Sequence, residues 1–157
     1  MLDEFPADEI EAVLAHELGH HVHGDIPLGV LAAAGVMLVN LWIADSILAE
    51  AVARGALATP ADPAGPLLIL LLVFSILGFL AAPLENAFSR WRERRADAFS
   101  VELTGRPQAL ADAMTRLANQ NLADANPPRW AVILFGTHPP LGERIRFAET
   151  AASPSIE

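Results

Sequence analysis

A chain of 157 residues with a formal net charge of −9 has room for one domain and offers no basic face for nucleic acid. Every basic residue is Arg and Cys is absent, which excludes a disulfide framework and a thiolate metal site. Hydrophobic residues reach 53%, above the usual globular share, and the excess lies in two stretches, Pro27 to Ala49 and Pro66 to Leu84.

The first eleven residues are acidic and lack the basic and apolar regions of a signal peptide, so none is expected. Pro6 to Gly24 reads as a helix. Asp8 and Glu9 suit its first turn, where the helix dipole favours negative charge, and Ile10, Val13, Leu14 and Leu18 form a stripe predicted to face a core. Gly24, Asp25 and Pro27 mark a break.

The first apolar stretch is long enough to cross a bilayer core, which takes ~20 residues. It carries Asn40 and, near its end, Asp45, which fits an interfacial position. The segment from Arg54 to Gly65, with Thr59, Pro60, Asp62 and Pro63, predicts a turn between two antiparallel helices. The second stretch has no charge, and its Gly78 and Pro83 are tolerated in membrane helices. A soluble core helix would show a polar face, and from Leu67 to Ala82 only Ser75 is polar, so a transmembrane hairpin of residues 27–49 and 66–84 is expected. Arg90, Arg92, Arg94 and Arg95 follow the second stretch, which by the positive-inside tendency puts this flank and both chain ends in the cytoplasm.

Helix is expected again through Thr104, then from Pro107 to Leu122 with Leu110, Met114 and Leu117 on one face. After Pro127 and Pro128, the run Trp130 to Phe135 fits strand or helix equally. Thr137 or His138 is placed to cap a last helix from Leu141 to about Thr150, after which the chain is expected to fray.

The chemistry lies in His16-Glu17-Leu18-Gly19-His20, an H-E-x-x-H pattern. On a helix, histidines four apart share a face and can hold one metal ion, while Glu17 leaves the helix beside it, able to take a proton from a metal-bound water. Imidazole with carboxylate ligands and an open position points to one catalytic zinc ion. Such a site needs a third ligand. His21 and His23 point away from the pair, whereas Glu93 is available, with Asp97 four residues on to hold a ligand histidine's tautomer. Spacing alone leaves a second reading open, in which Glu93 and Asp97 belong to an ordinary salt-bridged face among arginines.

The chain resembles the HtpX and CAAX prenyl endopeptidase family of membrane metallopeptidases. DEIEAVLAHELGHHVHGD resembles the active-site helix, the two apolar stretches take the place of the family's membrane hairpin, SRWRERRADAFSVELTG resembles the third-ligand helix, and THPPLGERI resembles the C-terminal His-Pro motif. LANQNL and the HPP-x-x-x-R-I ending resemble the CAAX branch more than the other. The resemblance implies an all-α, zincin-like core, with the transmembrane hairpin inserted between the H-E-x-x-H helix and the third-ligand helix. It implies zinc on His16, His20 and Glu93, Glu17 as general base, and His138 steadying the oxyanion. Arg144 is expected to brace that corner against a carboxylate. It further implies an integral membrane endopeptidase in a bacterial cytoplasmic membrane, its active site facing the cytoplasm and its substrates peptides of membrane or lipid-attached proteins. Family members carry membrane segments and an extended, substrate-pairing segment before the active-site helix, whereas this chain starts almost at that helix. A single, N-terminally short metallopeptidase domain spanning 1–157 is therefore expected, and the alternative function is a weakly active metal-binding module with an interaction or regulatory role.

Overall fold

One helix contact shows why the chain folds as it does. In the computed structural model, which describes residues 5–56 and 64–153, a Cβ on Gly19 would lie 3.1 Å from the Ala96 Cα and 3.2 Å from the Phe99 ring. A side chain at this position would push the neighbouring helix away by a few tenths of an ångström, and glycine removes that demand.

The described residues form six helices and no strand: α1 (Ala7–Val22), α2 (Asp25–Ala53), α3 (Ala64–Thr104), α4 (Pro107–Gln120), α5 (Arg129–Phe135) and α6 (Leu141–Ala152). The fold is all-α, with one apolar helix, α2, between the H-E-x-x-H helix and α3; the second apolar stretch is not a separate helix but runs unbroken into the part of α3 that carries Glu93. The run from Trp130 to Phe135 is helix, not strand. Pro83 does not interrupt α3. The predicted turn at Thr59 to Pro63 and the fraying of the last four residues lie outside the described residues, as do the first four.

Two compact units make up the chain, Met1–Ile26 with Pro83–Glu157, and Pro27–Ala82. The first has its core where α1, α4 and α6 meet, around Ala12, Ala109, Leu110, Ala111, Met114 and Ala148, with Val101, Leu117, Leu141 and Ile145 packed against it. Small side chains dominate, so the helices pack closely. Ser100, fully buried, donates to the Ala12 carbonyl at 2.7 Å and ties α3 to α1. Arg116 grips Glu9 with two bonds of 2.8 and 2.9 Å and ties α4 to α1.

The buried face of α1 differs from the predicted stripe. It is Glu9, Ala12, Ala15, His16 and Gly19, while Leu14 and Leu18 are exposed. Close helix approach selects the small residues, not the large ones, for the inner face. The break after α1 is also shorter than predicted: Gly24, at φ 65, turns the chain, and Asp25 already opens α2. Neither Thr137 nor His138 caps α6; Pro140 is its N-cap and no side-chain bond closes that end.

In the second unit, α2 and α3 line a shared apolar groove with Leu41, Ala44 and Leu48 from one and Leu67, Ile69 and Leu70 from the other. Both helices are long and apolar enough to cross a membrane, and only 6% of each most apolar window is buried within the protein. The core helices of a soluble bundle would be mostly covered; these leave leucines, Trp42 and Phe79 facing outward.

Candidate metal centre

Three side chains converge where α1 faces the C-terminal half of α3. His16 and His20 lie one helical turn apart, and the Gly19 contact brings them to Glu93. His16 Nε2 is 3.2 Å from His20 Nε2 and 3.5 Å from Glu93 Oε2, and His20 Nε2 is 3.4 Å from Glu93 Oε1. The two rings stand at 89° to each other, so their edges converge while their faces do not stack.

Behind this trio lies a second layer of charge. Asp97, one helical turn after Glu93, takes His16 Nδ1 at 2.9 Å. Arg144 on α6 donates to both Asp97 oxygens, at 2.6 and 2.8 Å, and its other terminal nitrogen is 3.8 Å from Glu93 Oε2. Asp97, fully enclosed, is the partner of Arg144 that sequence alone could not supply. On the other side, His20 Nδ1 meets Asp25 Oδ2 at 2.8 Å.

His138 reaches the trio from the segment between α5 and α6, its Nε2 3.5 Å from Glu93 Oε1. Two side chains of α3 hold the end of α5 and the start of that segment. Arg90 donates to the carbonyls of Val132 and Gly136 at 2.8 and 2.6 Å, and Asn86 donates to Leu134 at 2.7 Å. The Arg90 charge thus meets the negative end of α5. Its burial also removes Arg90 from the exposed cationic flank that sequence alone suggested. Glu17 is exposed beside the trio and makes no side-chain hydrogen bond among the described residues. His21 is exposed and His23 packs on Phe99, so neither joins the cluster.

The electrostatics favour a cation at the centre. Burial works against charge on His16, but hydrogen bonds to Asp97 and Glu93 outweigh it and push its pKa up to about 9. Burial likewise opposes charge on Glu93 and Asp97, yet bonds to His16, with Arg144 close by, hold both carboxyls below their usual range.

The sequence pattern of peptidase family M48 matches residues 1–152. The chain belongs to peptidase family M48. Among curated relatives of this M48 chain, an uncharacterized metalloprotease, YhfN, of Bacillus subtilis is 33% identical over 94% of the chain and 35% of the relative. A protease HtpX homolog of Paracidovorax citrulli is 32% identical over 96% of the chain and 55% of the relative. Protease HtpX of Mannheimia succiniciproducens is 33% identical over 96% and 56%. The M48 chain thus spans from about a third to just over half of the length of these relatives.

The M48 donor set suits zinc on geometric grounds. Ligand atoms ~2.0–2.1 Å from a tetrahedral ion stand roughly 3.3 Å apart; the two Nε2 atoms are 3.2 Å apart, and each lies 3.4–3.5 Å from a different oxygen of Glu93. Each histidine has its Nδ1 on a carboxylate, leaving Nε2 to face the common point. Sequence reasoning missed Asp25, which it assigned to a break. The available signal was a carboxylate five residues after a ligand histidine, just past a glycine that can reverse the chain.

Proposed function

We propose that this chain carries the catalytic part of a zinc-dependent membrane endopeptidase that hydrolyses peptide bonds of membrane or lipid-attached proteins. The convergence of His16, His20 and Glu93 within 4.8 Å is the observation that carries this reading. Zinc held by these three would supply Lewis acidity, lowering the pKa of water to about 7 and polarising the scissile carbonyl. Glu17 takes a proton from the attacking water and passes it to the leaving amine; its exposure beside the trio leaves it free to do both. His138 donates an N–H to the carbonyl oxygen as that atom gains charge, a role supported by its 3.5 Å approach to Glu93. Asp97 accepts a hydrogen bond from the Nδ1–H of His16 and so keeps Nε2 as the ligand atom, and Arg144 holds Asp97 in place. The apolar helices α2 and α3 fix the protein in the bilayer. The arginines after the second apolar stretch support a cytoplasmic active side.

The test is cleavage of an unfolded protein substrate by the detergent-purified chain before and after chelation. Activity that disappears with chelator and returns with zinc supports the reading. Cleavage that survives complete metal removal overturns it. Zinc bound with no cleavage would favour the metal-binding module instead.

A further inference from the structure

His16 and His20 are held in different ways. The carboxylate on His16 is itself clamped by two bonds from Arg144. His20 has a side chain 23% exposed, and among the described residues its one polar partner outside the ligand trio is the Asp25 carboxylate at 2.8 Å. Asp25 is only 3% exposed, and its other oxygen, Oδ1, has no hydrogen-bond partner within the protein among the described residues. A buried carboxylate with a single side-chain contact is costly unless that contact matters or positive charge lies near. Two features offset the cost: Asp25 lies in the first turn of α2, where the helix dipole favours an anion, and Arg92 donates to its backbone carbonyl at 3.1 Å. Gly24, at φ 65, turns the chain so that α2 begins back against His20.

We propose that Asp25 is a positioning residue of the metal centre: it keeps the proton of His20 on Nδ1 and fixes the ring so that Nε2 faces His16 and Glu93. The inference rests on the zinc reading above. Without the carboxylate, the His20 ring is free to rotate and to exchange tautomers, and the affinity of the trio for a metal falls. The bond from Arg92 goes to the main chain of Asp25, so side-chain substitutions leave that anchor in place.

The experiment measures zinc affinity of the full detergent-purified chain by competition with a chromophoric chelator, and the visible absorption of its cobalt(II) form. Asp25→Ala is expected to bind zinc about 10–100-fold more weakly than the wild type, with cobalt bands changed in position or intensity. Asp25→Asn, which keeps an acceptor but loses the charge, is expected to fall between. Zinc affinity within about twofold of wild type in Asp25→Ala, with an unchanged cobalt spectrum, would overturn the inference and leave the zinc centre standing. A lower melting temperature with wild-type cobalt bands would overturn it too, assigning Asp25 a structural role. Should Asp25→Ala not fold, the nearly isosteric Asp25→Asn decides alone, by the same two readouts. A wild-type chain that binds no zinc would overturn the zinc reading and this inference together.

Discussion

The two units of the chain are inverted in polarity. In the unit that holds the trio, Arg90, Glu93, Asp97 and Arg144 are buried while Leu14 and Leu18 face outward; in the unit of residues 27–82, Leu31, Leu38, Trp42 and Phe79 are exposed and the buried side chains include Ala44 and Val73. Buried charge is costly, and the first unit offsets the cost by pairing Asp97 with Arg144 and His16 and by giving Arg90 two main-chain carbonyls. An apolar surface is costly only against water, and in the proposed membrane reading lipid would remove that cost for the second unit. On that reading one chain uses two solvents, and the same substitution has opposite meanings in the two units.

The largest effect expected is on chemistry, confined to the polar unit. Glu17→Gln should lower turnover by about 10²–10⁴-fold while zinc content stays at the wild-type level, since Glu17 is not among the three converging donors; parallel assays of cleavage and metal content check both halves. Next is stability. Asp97→Ala removes the closest partner of both the buried Arg144 and His16 Nδ1 and should cost about 3–5 kcal/mol, read as a lower unfolding midpoint; a shift as small as that of an exposed ion pair would contradict the buried clamp. The converse change in the apolar unit is Leu72→Arg, which puts a charge on an exposed position of the second apolar stretch. It should oppose membrane insertion by about 2.5–3.5 kcal/mol, seen as loss of the protein from the membrane fraction, and undiminished insertion would count against a lipid-facing helix. The smallest effect belongs to Glu143→Ala, which removes a half-exposed bond to Arg94. It should change stability by no more than about 1 kcal/mol, read as a shift of at most a few degrees, about 2–4 °C, in the melting temperature.

Much of this was legible in the sequence, and what was not has a common cause. The apolar stretches, the H-E-x-x-H spacing and the Leu110, Met114, Leu117 face depend on residues near one another in the chain, so periodicity reveals them. The buried face of α1 does not, because it is chosen by the close approach of Ala96 and Phe99 to Gly19, and the large residues Leu14 and Leu18 mislead any pattern that equates size with core. Arg144 announced itself as a brace, but its bond to Asp97 spans 47 residues and needs the fold to appear. Asp25 was hidden by its own context, since Gly-Asp followed by Pro27 reads as a loop until the turn at Gly24 is seen to be only two residues long. The seven residues of α5 carry too little periodicity to separate strand from helix; the carbonyls that Arg90 and Asn86 hold support the helical form.

The central claim is that α1 and α3 together build a zinc site, and metal content tests it most directly. Detergent-purified wild-type chain and Glu93→Ala, compared by elemental mass spectrometry after removal of loosely bound ions, should show one zinc per chain in the first and little in the second. Equal zinc in both would show that Glu93 is not a ligand, and zinc absent from correctly folded wild type would contradict the metal centre itself.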